Sequence, residues 1–411
     1  MSLPNKRVPK IEVWKNDSIR KYIYSYSSKI VDGNLGAYYF EGGSASIQNA
    51  LAKNKAVFEA VERYSGSKIP LHLKKASFKK IQNEAVNPNA FIFFSKDEYK
   101  ETTFPYSKYT SSGQIEWVKG VSLVNLSKLY IPAFAVYLGY NQRITNFQKY
   151  FPTASCGLAV QTTKRQAMVN GILELVERDA AMKIWLNKSI TQVIDLSTAG
   201  SLKLKKLLSN IANENLIAKV ILSSQNLPVP SFIGIIYSKE ETLPFVTIGL
   251  SAGTNLEKSI LKSLEEALMV RNSLEYIKTE YGESVFKKGQ SQIKSFFDHT
   301  LYYSLPKRKT YWEFMINGQT ITVNELKKMF SLKDLQQNTY NTLIDILKKF
   351  GYDTYAVDLT SDIARQMGLY CFKVIIPNLR QMEIDHNLKF LKYGNKIDQE
   401  RLKKSKPHPF A

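Results

Sequence analysis

Two stretches of the chain carry the same trio of charged residues. "AVFEAVERYSG" (Ala56 to Gly66) and "ILELVERDAAM" (Ile172 to Met182) both contain E-x-x-E-R: Glu59, Glu62 and Arg63 in the first, Glu174, Glu177 and Arg178 in the second, 115 positions on. On an α-helix, positions i and i+3 share a face, so the two glutamates of each pair project together. Two such faces turned towards each other gather four carboxylates. That cluster repels itself unless protons, basic neighbours or a divalent cation balance it. Oxygen donors of this kind suit Mg²⁺, which takes a few carboxylates and fills its shell with water and phosphate oxygens. The arginines either hold phosphate oxygens or balance the acids. A lone E-x-x-E-R is most often a solvated helix face with an internal ion pair. Here the flanks are apolar and small ("AVFEAV", "ILELV"), where an unpaired acid is costly, and the pattern recurs.

The elements that must place these residues are helices over roughly 47–64 and 163–186, with strand-like stretches between them at "AFIFFS", "IEWVKGVSLV" and "LYIPAFAVYL". A third segment, "SAGTNLEKSILKSLEEALMVRNS", again runs from a glycine-containing turn into a helix, near 256–279, carrying Glu265, Glu266 and Arg271. Each of the three copies opens on small or glycine residues: "GGSAS" at Gly42 to Ser46, "SCGLAV" at Ser155 to Val160, "SAGTN" at Ser251 to Asn255. Helices entered through such turns offer free backbone amides to phosphate oxygens, although no GxxxxGK[ST] loop is present. The strand-like "QVIDL", "AKVILSS", "PSFIGIIYS", "PFVTIGLSAG", "TYAVDLT" and "YCFKVIIP" alternate with helical patterns, so a mixed α/β architecture follows.

Composition bounds the rest. The chain has 411 residues, 44% apolar and 12% aromatic, enough for a large core. Lys and Arg number 57 against 36 acidic residues, a formal charge of +21 that favours polyanionic partners. The lysines are spread, and the densest run, "RLKKSK" at Arg401 to Lys406, is short, so a nucleic-acid surface is not expected. Cys156 and Cys371 stand far apart without CxxC, which excludes a disulfide framework and argues against structural zinc. No apolar run reaches membrane length and the N-terminus lacks a signal-like stretch, so a cytoplasmic protein is expected.

At this point the chain resembles the YcaO family, whose azoline-forming branch consists of ATP-dependent cyclodehydratases. The resemblance spans roughly Leu35 to Ala411, behind an N-terminal segment of residues 1–34. "AVFEAVER" is similar to the family's SxxExxER, with Ala56 where serine is usual. "SCGLAVQTTKRQAMVNGILELVERDA" carries Ser155, Gly157, Glu174, Glu177, Arg178 and Asp179 on the family pattern. "LEEALMVR" resembles the ExxxQ segment, with Met269 in place of the glutamine. "WVKGVSL", "VDLTSD", "VIIPNL" and "DHTLYY" match as well, and "KPHPFA", within a tail of residues 405–411, is similar to the proline-rich end of cyclodehydratases.

The resemblance implies a YcaO-type mixed α/β fold with repeated strand-helix units around a nucleotide site, and ATP and Mg²⁺ as cofactors. Glu59, Glu62, Glu174 and Glu177 would hold the metal, and Arg63, Arg178, Glu265, Arg271, Ser155 and Gly157 would face the nucleotide. Pro407, Pro409 and Ala411 would act as the catalytic tail, against the plain alternative of a frayed terminus. The expected partners are a precursor peptide, a separate leader-peptide-binding protein, a flavin-dependent dehydrogenase and a second copy in a homodimer. Ala56, Met269 and the terminal Ala411 depart from the pattern and leave room for a thioamide- or amidine-forming relative or a silent docking scaffold. His299 is expected to be packed rather than to carry protons, and Cys156 to be a small buried thiol.

Overall fold

The computed structural model describes residues 9–16, 22–32, 39–143, 148–330, 332–392 and 396–410. In chain order, strands β1 (Lys10–Lys15), β2 (Tyr24–Val31) and β3 (Tyr39–Ser46) precede helix α1 (Asn49–Ser67). Next come β4 (Lys74–Ser77), α2 (Phe78–Ile81), β5 (Gln114–Ser122), β6 (Lys128–Pro132), α3 (Tyr140–Arg143), β7 (Leu158–Gln161) and α4 (Lys164–Asn187). Then follow β8 (Gln192–Asp195), α5 (Leu202–Asn213), β9 (Leu216–Leu222), β10 (Ser231–Ser238), β11 (Val246–Ala252), α6 (Leu256–Tyr281) and α7 (Phe296–Tyr303). Strands β12 (Gln319–Thr322), β13 (Tyr355–Asp358) and β14 (Tyr370–Ile375) complete the sheets. Among the described residues, no helix is long and apolar enough to cross a membrane.

The chain divides into two compact units. The first comprises 1–92, 96–172 and 351–378. Its β1-β2-β3 sheet is antiparallel, so part of the 1–34 segment is built into a sheet. Its second sheet, ordered β4-β5-β13-β14-β7 with β6 on β5, is also antiparallel throughout. The second unit, 93–95, 173–350 and 379–411, holds a β11-β10-β9-β8-β12 sheet in which only the β8–β12 pair is parallel. Its core gathers Trp185, Ile233, Ile235, Phe245, Tyr303, Trp312 and Phe410, all nearly inaccessible to water.

Small residues let helices lie directly on strands. A Cβ on Gly42 of β3 would stand 2.3 Å from the Ala56 carbonyl oxygen and 2.4 Å from the Ala60 nitrogen of α1. A Cβ on Gly249 of β11 would meet the Ser263 carbonyl at 2.3 Å and the Ala267 nitrogen at 2.5 Å in α6. The two pairings share one register, since fourteen positions separate Gly42 from Ala56 and Gly249 from Ser263. Gly157 and Gly171 repeat it before and within α4, where a Gly171 Cβ would lie 2.7 Å from the Gly157 oxygen. Seventeen positions after each leading glycine comes a glutamate: Glu59, Glu174 and Glu266.

Three expectations are corrected. "GGSAS" is strand, not turn, because Gly42 serves close packing against α1, and "SCGLAV" enters β7 before the helix begins. "AFIFFS" is a loop after a 3-10 turn (Pro88–Ala90). Its Phe93 and Phe94 pack on Phe390 with centroids 6.2 and 5.6 Å away, and the Phe93 carbonyl accepts from the Lys392 amide, so an apolar run is satisfied without a ladder. "LYIPAFAVYL" stays a strand only to Pro132, whose missing N–H ends the pairing, and a 3-10 turn (Ala133–Ala135) follows.

Candidate active site

In the first unit α1 presents Glu59 and Glu62 on one face. The Glu59 carboxylate accepts the Gly43 backbone N–H at 3.1 Å and the Arg63 guanidinium at 3.1 Å, and Glu62 lies 3.7 Å from Arg63. Ala56, one turn earlier, is fully buried, and its carbonyl accepts the Ser28 hydroxyl at 2.6 Å. The Ser155 to Gly157 turn is built by Gly157, at φ +79, and closed by the Leu158 N–H donating to the Ser155 oxygen at 2.8 Å. The buried Lys373 of β14 pins this turn, its ammonium donating at 2.7 Å to the carbonyls of both Ala154 and Cys156. Both cysteines are free and buried, and burial pushes the Cys371 thiol well above its ordinary pKa, which does not suit a nucleophile.

In the second unit α4 and α6 contribute Glu174, Glu177, Arg178, Lys262 and Glu266. Arg178 Nε holds Glu174 at 3.0 Å, and its guanidinium lies over the Phe296 ring, 5.4 Å from the centroid. Burial, and then the neighbouring Glu174 carboxylate, raise the Glu177 pKa, while Lys262 and Arg178 oppose the rise. Burial together with Glu177 raises Glu266 to about 7. Desolvation works against the Lys262 ammonium, but Glu177, Glu266 and Glu174 outweigh it and raise its pKa. Lys262 keeps solvent access, so water weakens that attraction. Asp179, beside Arg178, is buried and fixes the following loop: it accepts the Arg380 backbone N–H at 2.8 Å and pairs with Lys183 at 2.6 Å.

The C-terminal tail is docked rather than frayed. Pro407, His408, Pro409 and Phe410 are all buried, and Phe410 packs on Trp185 in the second unit's core. Ala411 lies outside the described residues. His299 is fully buried and packed, as expected.

The sequence-expected residues separate by unit: Glu59, Glu62, Arg63, Ser155 and Gly157 in the first, Glu174, Glu177, Arg178, Glu265, Arg271 and the tail in the second. Arg271 spends its charge on Glu275 at 3.1 Å within α6, and Glu265 is buried one position before Glu266. Sequence reasoning passed over Lys262, Lys373 and the role of Glu266. The recurring interval from glycine to glutamate is the signal that singles out Glu266. Among the described residues no three His, Cys, Asp or Glu side chains gather closely enough to hold a metal ion, and the carboxylates lean on cations of the chain. The donor set nonetheless fits Mg²⁺: it is all carboxylate oxygen, and Glu177 and Glu266 are crowded enough for a divalent cation to relieve them.

Comparison with known proteins agrees with this arrangement. A protein from Methanothermobacter thermautotrophicus described only as uncharacterised is 20% identical over 359 residues, covering 86% of this chain and 84% of its own. A solved heterocyclase in complex with substrate and cofactor superposes with a TM-score of 0.75 at 19% identity, over 97% of this chain and 55% of its own. The YcaO of Methanopyrus kandleri bound with AMPPCP and Mg²⁺ gives 0.65 at 17% identity, over 92% and 88%. The E. coli microcin synthetase McbBCD complex with pro-MccB17 bound gives 0.66 at 15%, over 97% and 96%. The chain spans about half the length of the first heterocyclase and of the heterocyclase TruD. Residues 44–380 match the family model described as YcaO cyclodehydratase, ATP- and Mg²⁺-binding, so the chain belongs to the YcaO family, with ATP and Mg²⁺ as its cofactors.

Proposed function

We propose that the chain is an ATP-dependent cyclodehydratase that converts Cys, Ser or Thr residues of a ribosomally made precursor peptide to thiazolines or oxazolines. The observation that carries the reading is the proline-containing tail seated in the unit that holds Glu174, Glu177 and Arg178. When bound, Mg²⁺-ATP supplies the phosphoryl group that the substrate amide oxygen takes, so that oxygen leaves as phosphate while the side chain closes the ring.

The chain's own residues hold and neutralise. Glu59, Glu62, Glu174 and Glu177, joined by Glu266, supply carboxylate oxygens to the metal. Arg63, Arg178 and Lys262 offset the charge of phosphate oxygens, the dominant need in phosphoryl transfer. The pinned Ser155 to Gly157 turn gives a fixed backbone edge beside the nucleotide. Pro407, Pro409 and Ala411 orient the attacking group. A separate leader-binding protein presents the precursor, a flavin-dependent dehydrogenase acts on the product, and the enzyme works as a homodimer.

Met269 favours a second reading, a docking scaffold without turnover, because it falls twenty positions after Gly249, where the first two copies place Glu62 and Glu177. Calorimetry with ATP, with and without Mg²⁺, separates the two. Mg²⁺-dependent binding, followed by loss of one water per modified residue in a precursor peptide, supports the cyclodehydratase. Exchange of oxygen for sulfur moves it to thioamide chemistry, and absence of nucleotide binding leaves the scaffold.

A further inference from the structure

The last residues of the chain are recognised one carbonyl at a time. Trp185 Nε1–H donates to the Lys406 oxygen at 3.1 Å, the Tyr303 hydroxyl to the Pro407 oxygen at 2.6 Å, and His299 Nδ1 meets the His408 oxygen at 2.7 Å. A carbonyl only accepts, so His299 carries its proton on Nδ1. His408 is fixed in the opposite tautomer: Nε2 donates to the Glu383 oxygen at 2.9 Å, which leaves Nδ1 to accept the Phe410 N–H at 3.3 Å. Pro407 and Pro409 have no N–H to offer, so a register can be read here only through donors aimed at carbonyls.

His299 does this twice over. Besides its hydrogen bond, its ring lies face to face with that of His408, centroids 3.8 Å apart and planes 7° from parallel. Phe410 stacks on the other neighbour of the series, 5.6 Å from His408. Phe296 carries the contact to the acidic helices, its centroid 6.3 Å from His408 and 5.4 Å from the Arg178 guanidinium carbon.

We propose that His299 is a positioning residue that sets the register of the C-terminal tail beside Arg178. Its catalytic consequence rests on the cyclodehydratase reading; the docking itself does not. Burial lowers the His299 pKa to about 4, which keeps the ring neutral, as the observed bonding requires.

Three full-length variants test it. His299→Leu removes donor and ring, His299→Phe keeps a ring and lacks the donor, and His299→Asn puts an amide N–H near the place of Nδ1–H. Amide exchange of the tail is followed by mass spectrometry, with thermal melts to establish folding and the Phe variant standing in should Leu unfold the chain. Exchange of the Phe410 amide is expected to rise about tenfold or more in Leu and Phe, and to return towards wild type in Asn. Turnover of ATP is expected to follow the same order through kcat, with KM for ATP unmoved. Tail exchange unchanged in both Leu and Phe overturns the proposal. Raised exchange in a protein whose wild type consumes no ATP upholds the positioning role and removes the enzymatic reading instead.

Discussion

The Gly43 backbone N–H donates to the Glu59 carboxylate at 3.1 Å, tying an acidic helix face to the strand beneath it. Gly42 makes this possible, since its missing side chain lets α1 approach β3 until the next amide reaches the acid. The same device recurs at β11 and α6, where Leu250, next after Gly249, offers its backbone to Glu266. The direction of each carboxylate is therefore set by strand and helix together, which a rotamer-rich glutamate on a free helix face would not achieve.

That close approach predicts where substitution is costly. A Gly42→Val side chain would collide with backbone at Ala56 and Ala60, which cannot swing aside, so a loss of about 2 kcal/mol or more is expected. Gly43→Ala is the control, because nothing lies within 4 Å of its Cβ. Denaturant midpoints measure both, and equal midpoints would dismiss the packing argument.

Glu174→Gln keeps shape and removes charge. Its ion pair with Arg178 leaves both side chains partly in water, so stability should change by less than about 1 kcal/mol. ATP consumption is expected to drop about a hundredfold or more, since a ligand carboxylate and its field are lost together. A kinase-style coupled assay beside a melting curve checks the pair of outcomes, and undiminished consumption would detach Glu174 from the metal.

Lys262→Met should extend an existing pH effect. Glu266, raised to about 7 by burial and Glu177, binds protons more readily folded than unfolded, so its contribution lowers stability as pH climbs from about 4.5 to about 7. Without the ammonium the window should reach higher, with an added loss on the order of 1 kcal/mol at pH 8. Urea titrations at pH 6 and pH 8 decide this, and parallel behaviour of wild type and variant would show that Lys262 does not serve the acids.

Much of the site's raw material was legible in the sequence, because E-x-x-E-R repeats on apolar helices are local patterns that survive folding. The helices of Glu59, Glu174 and Glu266 appear where periodicity puts them. The glycines misled because Gly42 reads alike as a turn former and as a packing gap, and only the partner helix decides between them. Lys373 and Lys262 were invisible as members of the site, since a lysine's role depends on carbonyls or carboxylates brought from far along the chain. The tail's hold is equally non-local: Trp185, Tyr303 and His299 reach Lys406 to His408 from remote positions.

Acid should loosen that hold. Burial lowers His299 to about 4, His386 to about 3 and His408 well below the ordinary 6.5, so the unfolded chain takes up protons first. Their stabilising contribution is complete above about 6.5 and declines as pH falls through the interval down to the folded values. Lys389 and Lys406 face His386, and Arg178 faces His408, so any proton taken up in the folded state meets further positive charge. Each pH unit of separation is worth about 1.4 kcal/mol, so the three rings together weigh several kcal/mol between pH 6.5 and pH 4. His386→Gln removes one of them and should flatten the fall in urea stability between pH 7 and pH 5 while Glu266 still pulls the other way. A variant whose stability drops as steeply as wild type over that interval would show that the ring already takes its proton in the folded chain.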